Sequence, residues 1–78
     1  MKLTAIIRKG EKQYVALCPE LNVVSQGFTI EEALVNLKEA IELHIEVMGL
    51  PEGINDQETL VTSIEIVDNN AKTSQIIR

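Results

Sequence analysis

Short apolar runs at both ends of the chain and one long amphipathic run between them predict the secondary structure. Residues 2–8 alternate, with Leu3, Ala5 and Ile7 on one side and Thr4, Ile6 and Arg8 on the other, which is the two-residue period of a strand. Lys9-Gly10-Glu11-Lys12 predicts a tight turn, because glycine accepts the positive φ that many hairpins need. Tyr14 to Cys18 predict a second strand, ended by Pro19, which removes a ladder donor; Val23 to Gln26 predict a short third strand closed by Gly27.

Thr29-Ile30-Glu31-Glu32 has the form of a capping box, in which Thr29 accepts from the Glu32 amide and the Glu32 carboxylate reaches back to the Thr29 amide. The helix it opens is expected to run to about Met48, with Gly49 as its left-handed stop and Pro51 blocking resumption. At about 100° per residue, Ile30, Ala33, Leu34, Leu37, Ala40, Ile41, His44, Ile45 and Met48 share one face. Glu31, Glu32, Lys38, Glu39, Glu42 and Glu46 lie opposite, together with two apolar residues that break the pattern, Val35 and Leu43. Residues 50–59 read as a polar loop, residues 60–67 as a last strand rich in β-branched side chains, and residues 68–78 as a polar tail.

The predicted class is α+β, with the order β-β-β-α-β. A three-stranded meander followed by a right-handed crossover would bring the last strand beside the first, in a four-stranded mixed sheet of order 3-2-1-4 covered on one face by one helix. One helix roofs one face only, yet the strands carry apolar residues on both. Ile6, Val15, Leu17, Val61 and Val67 are the candidate residues of the second face, and their character predicts self-association as a dimer or tetramer.

Size and charge sharpen this picture. With 78 residues and no Trp, the chain supports one domain, residues 1–67, with the tail appended. The net charge of −5 is uneven: residues 1–20 carry +2, residues 21–60 carry −7 and residues 61–78 are neutral. Acidity concentrated on the helix and the following loop fits a basic protein partner and argues against nucleic acid as a partner for this chain alone. A single cysteine, Cys18, fits a reducing cytosol, and a cytoplasmic location is expected because no secretory leader or membrane-length apolar run is visible.

The run from Ser25 to Glu42, with Gly27-Phe28-Thr29-Ile30-Glu31-Glu32-Ala33-Leu34 at its centre, resembles the most characteristic stretch of HicB-like antitoxins. Tyr14-Val15-Ala16-Leu17-Cys18-Pro19-Glu20-Leu21 and the opening Lys2-Leu3-Thr4-Ala5-Ile6-Ile7 are similar to the segments that precede it in that family, so the likeness covers about residues 1–46. It implies a partial ribonuclease-H-like fold, an oligomeric assembly, and neutralisation of a HicA-type toxin, a small basic messenger-RNA ribonuclease, by covering its active surface. Many members also carry a C-terminal DNA-binding segment. Residues 68–78 are too few for two helices and a turn, so operator binding is not expected of this chain, and the family's common aromatic is His44 here.

No catalytic residue, metal ligand or cofactor is expected. A ribonuclease-H-like metal cluster needs several carboxylates, but the aspartates are Asp56 and Asp68, in the loop and past the last strand, and the first strand has no acid. His44 and Cys18 do not complete a zinc site and read as semi-buried and buried packing residues. The segment Cys18-Pro19-Glu20-Leu21 reads as structural, with Pro19 ending the strand and Leu21 under the helix, and a recognition loop is the alternative. On the acidic face Glu39, Glu42 and Glu46 repel one another, and Val35 and Leu43 make an apolar spot beside them. Glu32, Val35, Glu39, Leu43 and Glu46 are therefore the candidate toxin contacts. The rival readings are an oligomeric nucleic-acid-binding regulator that joins the basic hairpin cluster Lys2, Arg8, Lys9 and Lys12 across copies, and an orphan scaffold oligomer.

Overall fold

The computed structural model describes residues 1–54 and 58–67. Three strands form an antiparallel sheet in the order β1 (Ile6–Lys9), β2 (Tyr14–Cys18), β3 (Val23–Gly27), and one helix follows, α1 (Ile30–Met48). β1 starts later than the alternation suggests, because Thr4 is held by the Glu20 side chain before the ladder begins.

Register decides which side chains share a face. Ile6 lies opposite Leu17, which lies opposite Val24, and Arg8 lies opposite Val15, which lies opposite Gln26. These six residues occupy one side. Ile7, Ala16 and Ser25 fall on the other, with Tyr14 and Gly27 in one row and Cys18 and Val23 in another. The helix covers this side, the one away from Ile6, Val15 and Leu17, where Ala16, Cys18, Leu21, Ala33, Leu37 and Ile54 form the buried core and Leu3, Ile7, Tyr14, Val23, Ile41 and Ile45 pack around it.

α1 lies chiefly over β3 and β2. Gly27 permits this closeness: a Cβ there would sit 2.5 Å from the backbone nitrogen of Ala33, so any side chain would push the first helical turn off the sheet. The cap forms with one change from expectation. Thr29 Oγ1 accepts from the Glu32 amide at 2.9 Å, but the Glu32 carboxylate accepts from the amide of Phe28, one residue earlier. At the other end Gly49 takes a positive φ of 77°, paired with an extended ψ of 175° in place of the left-handed helical value.

Three expectations are corrected. Ile30, Leu34 and Met48 lie on the apolar side by periodicity but are exposed, because the sheet beneath is too small to cover the whole face. Ile54, within the presumed polar loop, is buried in the core just after a short turn in which its amide donates to the Pro51 carbonyl. The predicted fourth strand does not join the sheet: Leu60–Val67 carries no regular secondary structure and all eight residues are exposed. Its β-branched composition favours an extended backbone, but a strand needs a neighbour to receive its hydrogen bonds, and none is supplied among the described residues. The four-stranded 3-2-1-4 sheet is therefore replaced by three strands, and Val61 and Val67 are not part of the sheet's second face. The tail, residues 68–78, lies outside the described residues.

Candidate functional site

Two surfaces stand apart from the core. The first is the outer face of α1. Glu32, Val35, Glu39, Leu43 and Glu46 follow one another at intervals of three and four residues, so the helix carries them in one stripe, and all five are exposed. Val35 and Leu43 are each more than half exposed, and Val47 extends the apolar line towards the helix end. Glu42 stands on the same side. Val47 was not singled out from sequence, although its i+4 spacing from Leu43 was the available signal.

The five are not equivalent. Glu32 is committed to the helix cap through Phe28 and, with Thr29, Glu31 and Val35, lines a shallow hollow at the start of the helix. Glu39 and Glu46, whose side chains enter no hydrogen bond among the described residues, face water. On the neighbouring flank the Asn36 side-chain amide donates to the Gln26 carbonyl at 2.8 Å, which ties the helix to β3 and fixes the stripe's orientation. Phe28, also exposed, adds an aromatic ring near the same end.

The second surface is the side of the sheet away from the helix. Ile6, Val15 and Leu17 meet there, and Val24 and Arg8 join them to line an open hollow. Arg8 is the one charged residue of that lining. Val61 and Val67, the other candidates for this face, lie on the exposed segment instead.

Between β2 and β3 a polar knot holds three parts of the chain together. The Glu20 carboxylate accepts from the Thr4 amide at 3.0 Å, from the Thr4 hydroxyl at 2.6 Å and from the Thr59 hydroxyl at 2.8 Å, and the Cys18 thiol donates to it at 3.5 Å. The Thr4 hydroxyl above all, with the Thr4 amide and Thr59, holds the Glu20 carboxyl down to about 2, although partial burial opposes this. Asn22, at φ 57°, completes the sharp path from Glu20 into β3. The same knot borders Cys18, whose thiol burial pushes upward; wholly enclosed under the helix, it is a packing group. His44 is half-buried on α1. Among the described residues, no three His, Cys, Asp or Glu side chains gather as metal ligands, and no helix is long and apolar enough to cross a membrane. Asp56 and Asp68 lie outside the described residues.

Lys2, Arg8, Lys9 and Lys12 are all exposed; Arg8, Lys9 and Lys12 lie at the hairpin turn, whereas Lys2 lies before the other end of β1. The described residues thus present two contact surfaces, one acidic with an apolar centre and one apolar with a single base.

No family model matches the chain, and no solved structure matches it. The chain is similar to a UPF0150 protein of Helicobacter pylori (strain J99 / ATCC 700824), with 52% identity over 46 residues, a stretch that is 58% of this chain and spans 64% of the length of that relative.

Proposed function

We propose that this chain is a non-catalytic, antitoxin-like binding module that covers a small basic ribonuclease of the HicA type, acting in the cytoplasm and making or breaking no bond itself. The observation that carries this reading is the outer face of α1, where Val35 and Leu43 stay exposed among Glu39, Glu42 and Glu46 while the core contacts of the helix lie on its other side. An apolar centre with an acidic rim is the form of a hot spot for a basic surface: the centre expels water and the rim steers and orients the partner. Similarity to a UPF0150 protein, from a family related to HicB, supports the reading.

In this reading the chain works as an oligomer, through the sheet side that carries Ile6, Val15 and Leu17, so that the acidic faces remain outward. Co-expression with the product of the adjacent reading frame tests it: a small, basic, growth-inhibiting product should be neutralised and should co-purify with this chain. Replacing Glu39 and Glu46 by Lys should weaken that complex at low salt by at least about tenfold, the effect of removing favourable charge contacts worth about 1.4 kcal/mol. Unchanged affinity would remove the acidic face from the interface. The exposed basic hairpin favours one alternative, an oligomeric nucleic-acid binder. That alternative requires an electrophoretic shift that weakens steeply as salt is raised.

A further inference from the structure

The chain contains two unfilled halves of one structure. Leu60–Val67 has the composition of a strand, yet Leu60, Val61, Ile64, Ile66 and Val67 expose between 59 and 86% of their surface. β1 is an outer strand of the sheet, and the edge facing away from β2 has no strand beside it among the described residues. An edge of this kind presents a row of backbone donors and acceptors ready for another strand.

Their side chains match. An extended Leu60–Val67 puts Leu60, Thr62, Ile64 and Ile66 on one face and Val61, Ser63, Glu65 and Val67 on the other. The second face has one charge, an acid, among small and apolar groups. The uncovered side of the sheet has the complementary pattern, one base, Arg8, among Ile6, Val15, Leu17 and Val24. A strand laid on β1 with Glu65 beside Arg8 would continue that side with Val61 and Val67. Its uncharged face would then lie on the helix side of the sheet, next to Ile7.

The root of the segment is fixed. Thr59 donates to the same Glu20 oxygen that accepts from the Thr4 hydroxyl, so the segment departs from a point beside the entrance to β1. Eight extended residues reach about 26 Å from that point, roughly twice the length of a four-residue β1, enough to lie along a neighbouring molecule.

We propose that Leu60–Val67 is an exchange strand: each copy lays it along β1 of a second copy of this chain, with Glu65 beside Arg8. The proposal rests on the self-association reading above and adds a second contact to it, strand to sheet edge, beside the one through the sheet side that carries Ile6, Val15 and Leu17. A second copy is the occupant because it brings both missing halves at once: it offers an open β1 to receive the segment and returns a segment of its own. A partner with only one half would leave the other exposed. Reciprocal exchange closes after two chains, with no β1 edge and no Leu60–Val67 segment left over for a third.

Sedimentation of the full chain and of Ile64→Pro, with helix circular dichroism as the folding control, tests the proposal. A dimer is expected for the unsubstituted chain, and the proline, which removes a ladder donor, should weaken it by about tenfold or more while the helix signal persists. Oxidation of mixed single-cysteine partners tests the pairing itself. Arg8→Cys mixed with Glu65→Cys should give a disulfide-linked heterodimer, whereas the unsubstituted chain, its Cys18 enclosed, should give none. A chain carrying both substitutions that closes an internal disulfide and runs as a monomer would overturn exchange, placing the segment on its own β1. A dimer unaffected by Ile64→Pro would also overturn exchange but leave self-association standing. A monomer at every concentration would remove both.

Discussion

β2 and Leu60–Val67 are similar in composition and opposite in fate. Both are short and rich in residues suited to an extended backbone, yet Tyr14–Cys18 has a strand on each side and a helix above it, while Leu60–Val67 has neither among the described residues. The difference does not lie in local preference. β2 receives neighbours through short connections, a turn before it and the Pro19–Asn22 corner after it, so pairing closes small loops at low entropic cost. Leu60–Val67 follows the helix and a further loop, and its pairing depends on where the rest of the chain leaves an edge open. Strand propensity expresses fit to a surface that other residues must provide.

Perturbing each region should reveal that asymmetry. The largest effect is expected at Leu37, buried at the centre of the core beneath the helix: Leu37→Ala should lower the unfolding free energy by about 2 to 5 kcal/mol in denaturant titration. Gly27→Ala should follow, with a loss of about 1 to 3 kcal/mol, because the added methyl meets the backbone of Glu32 and Ala33, which cannot rotate aside as a side chain would. An unchanged midpoint for Gly27→Ala would mean that helix and sheet are not in close contact there.

The Glu20 knot predicts a pH signature. Its carboxyl is held at about 2 in the folded chain against an ordinary 4.5, so the folded state prefers the charged form. That contribution is complete above the ordinary value and fades as pH falls from there through the folded value. The melting temperature of Glu20→Gln should therefore lie below that of the unsubstituted chain at neutral pH, and the gap should close towards pH 2. A gap independent of pH would assign the effect to packing instead. The smallest effect is expected at Ile64, where Ile64→Ser, studied at concentrations low enough to keep chains apart, should change stability by less than about 0.5 kcal/mol. A large loss there would show that the segment packs on its own domain, which would contradict its exposure.

Much of the fold was legible from the chain alone, for specific reasons. The hairpin, the third strand and the helix Ile30–Met48 with its Thr29 cap each carry their own signal in adjacent residues, whether an alternation, a cap or a stop. The exposed stripe of Glu32, Val35, Glu39, Leu43 and Glu46 was equally legible, since helical geometry relates residues three and four apart without any knowledge of the rest of the molecule. Glu20 was not, because its partners Thr4 and Thr59 lie 16 and 39 positions away. Ile54 was hidden by the polar residues around it, and Gly27 carried a second role, close passage of the helix, that a strand-ending glycine does not announce.

What the chain determined by itself is everything governed by neighbours within a few positions: where the elements begin and end, and which residues share a helical face. Tertiary structure alone decided which side of the sheet is roofed, how little of the helix's apolar face the sheet covers, and that Leu60–Val67 stands outside the sheet. These depend on register and on available edges, and both come from contacts between distant residues that no short-range pattern encodes.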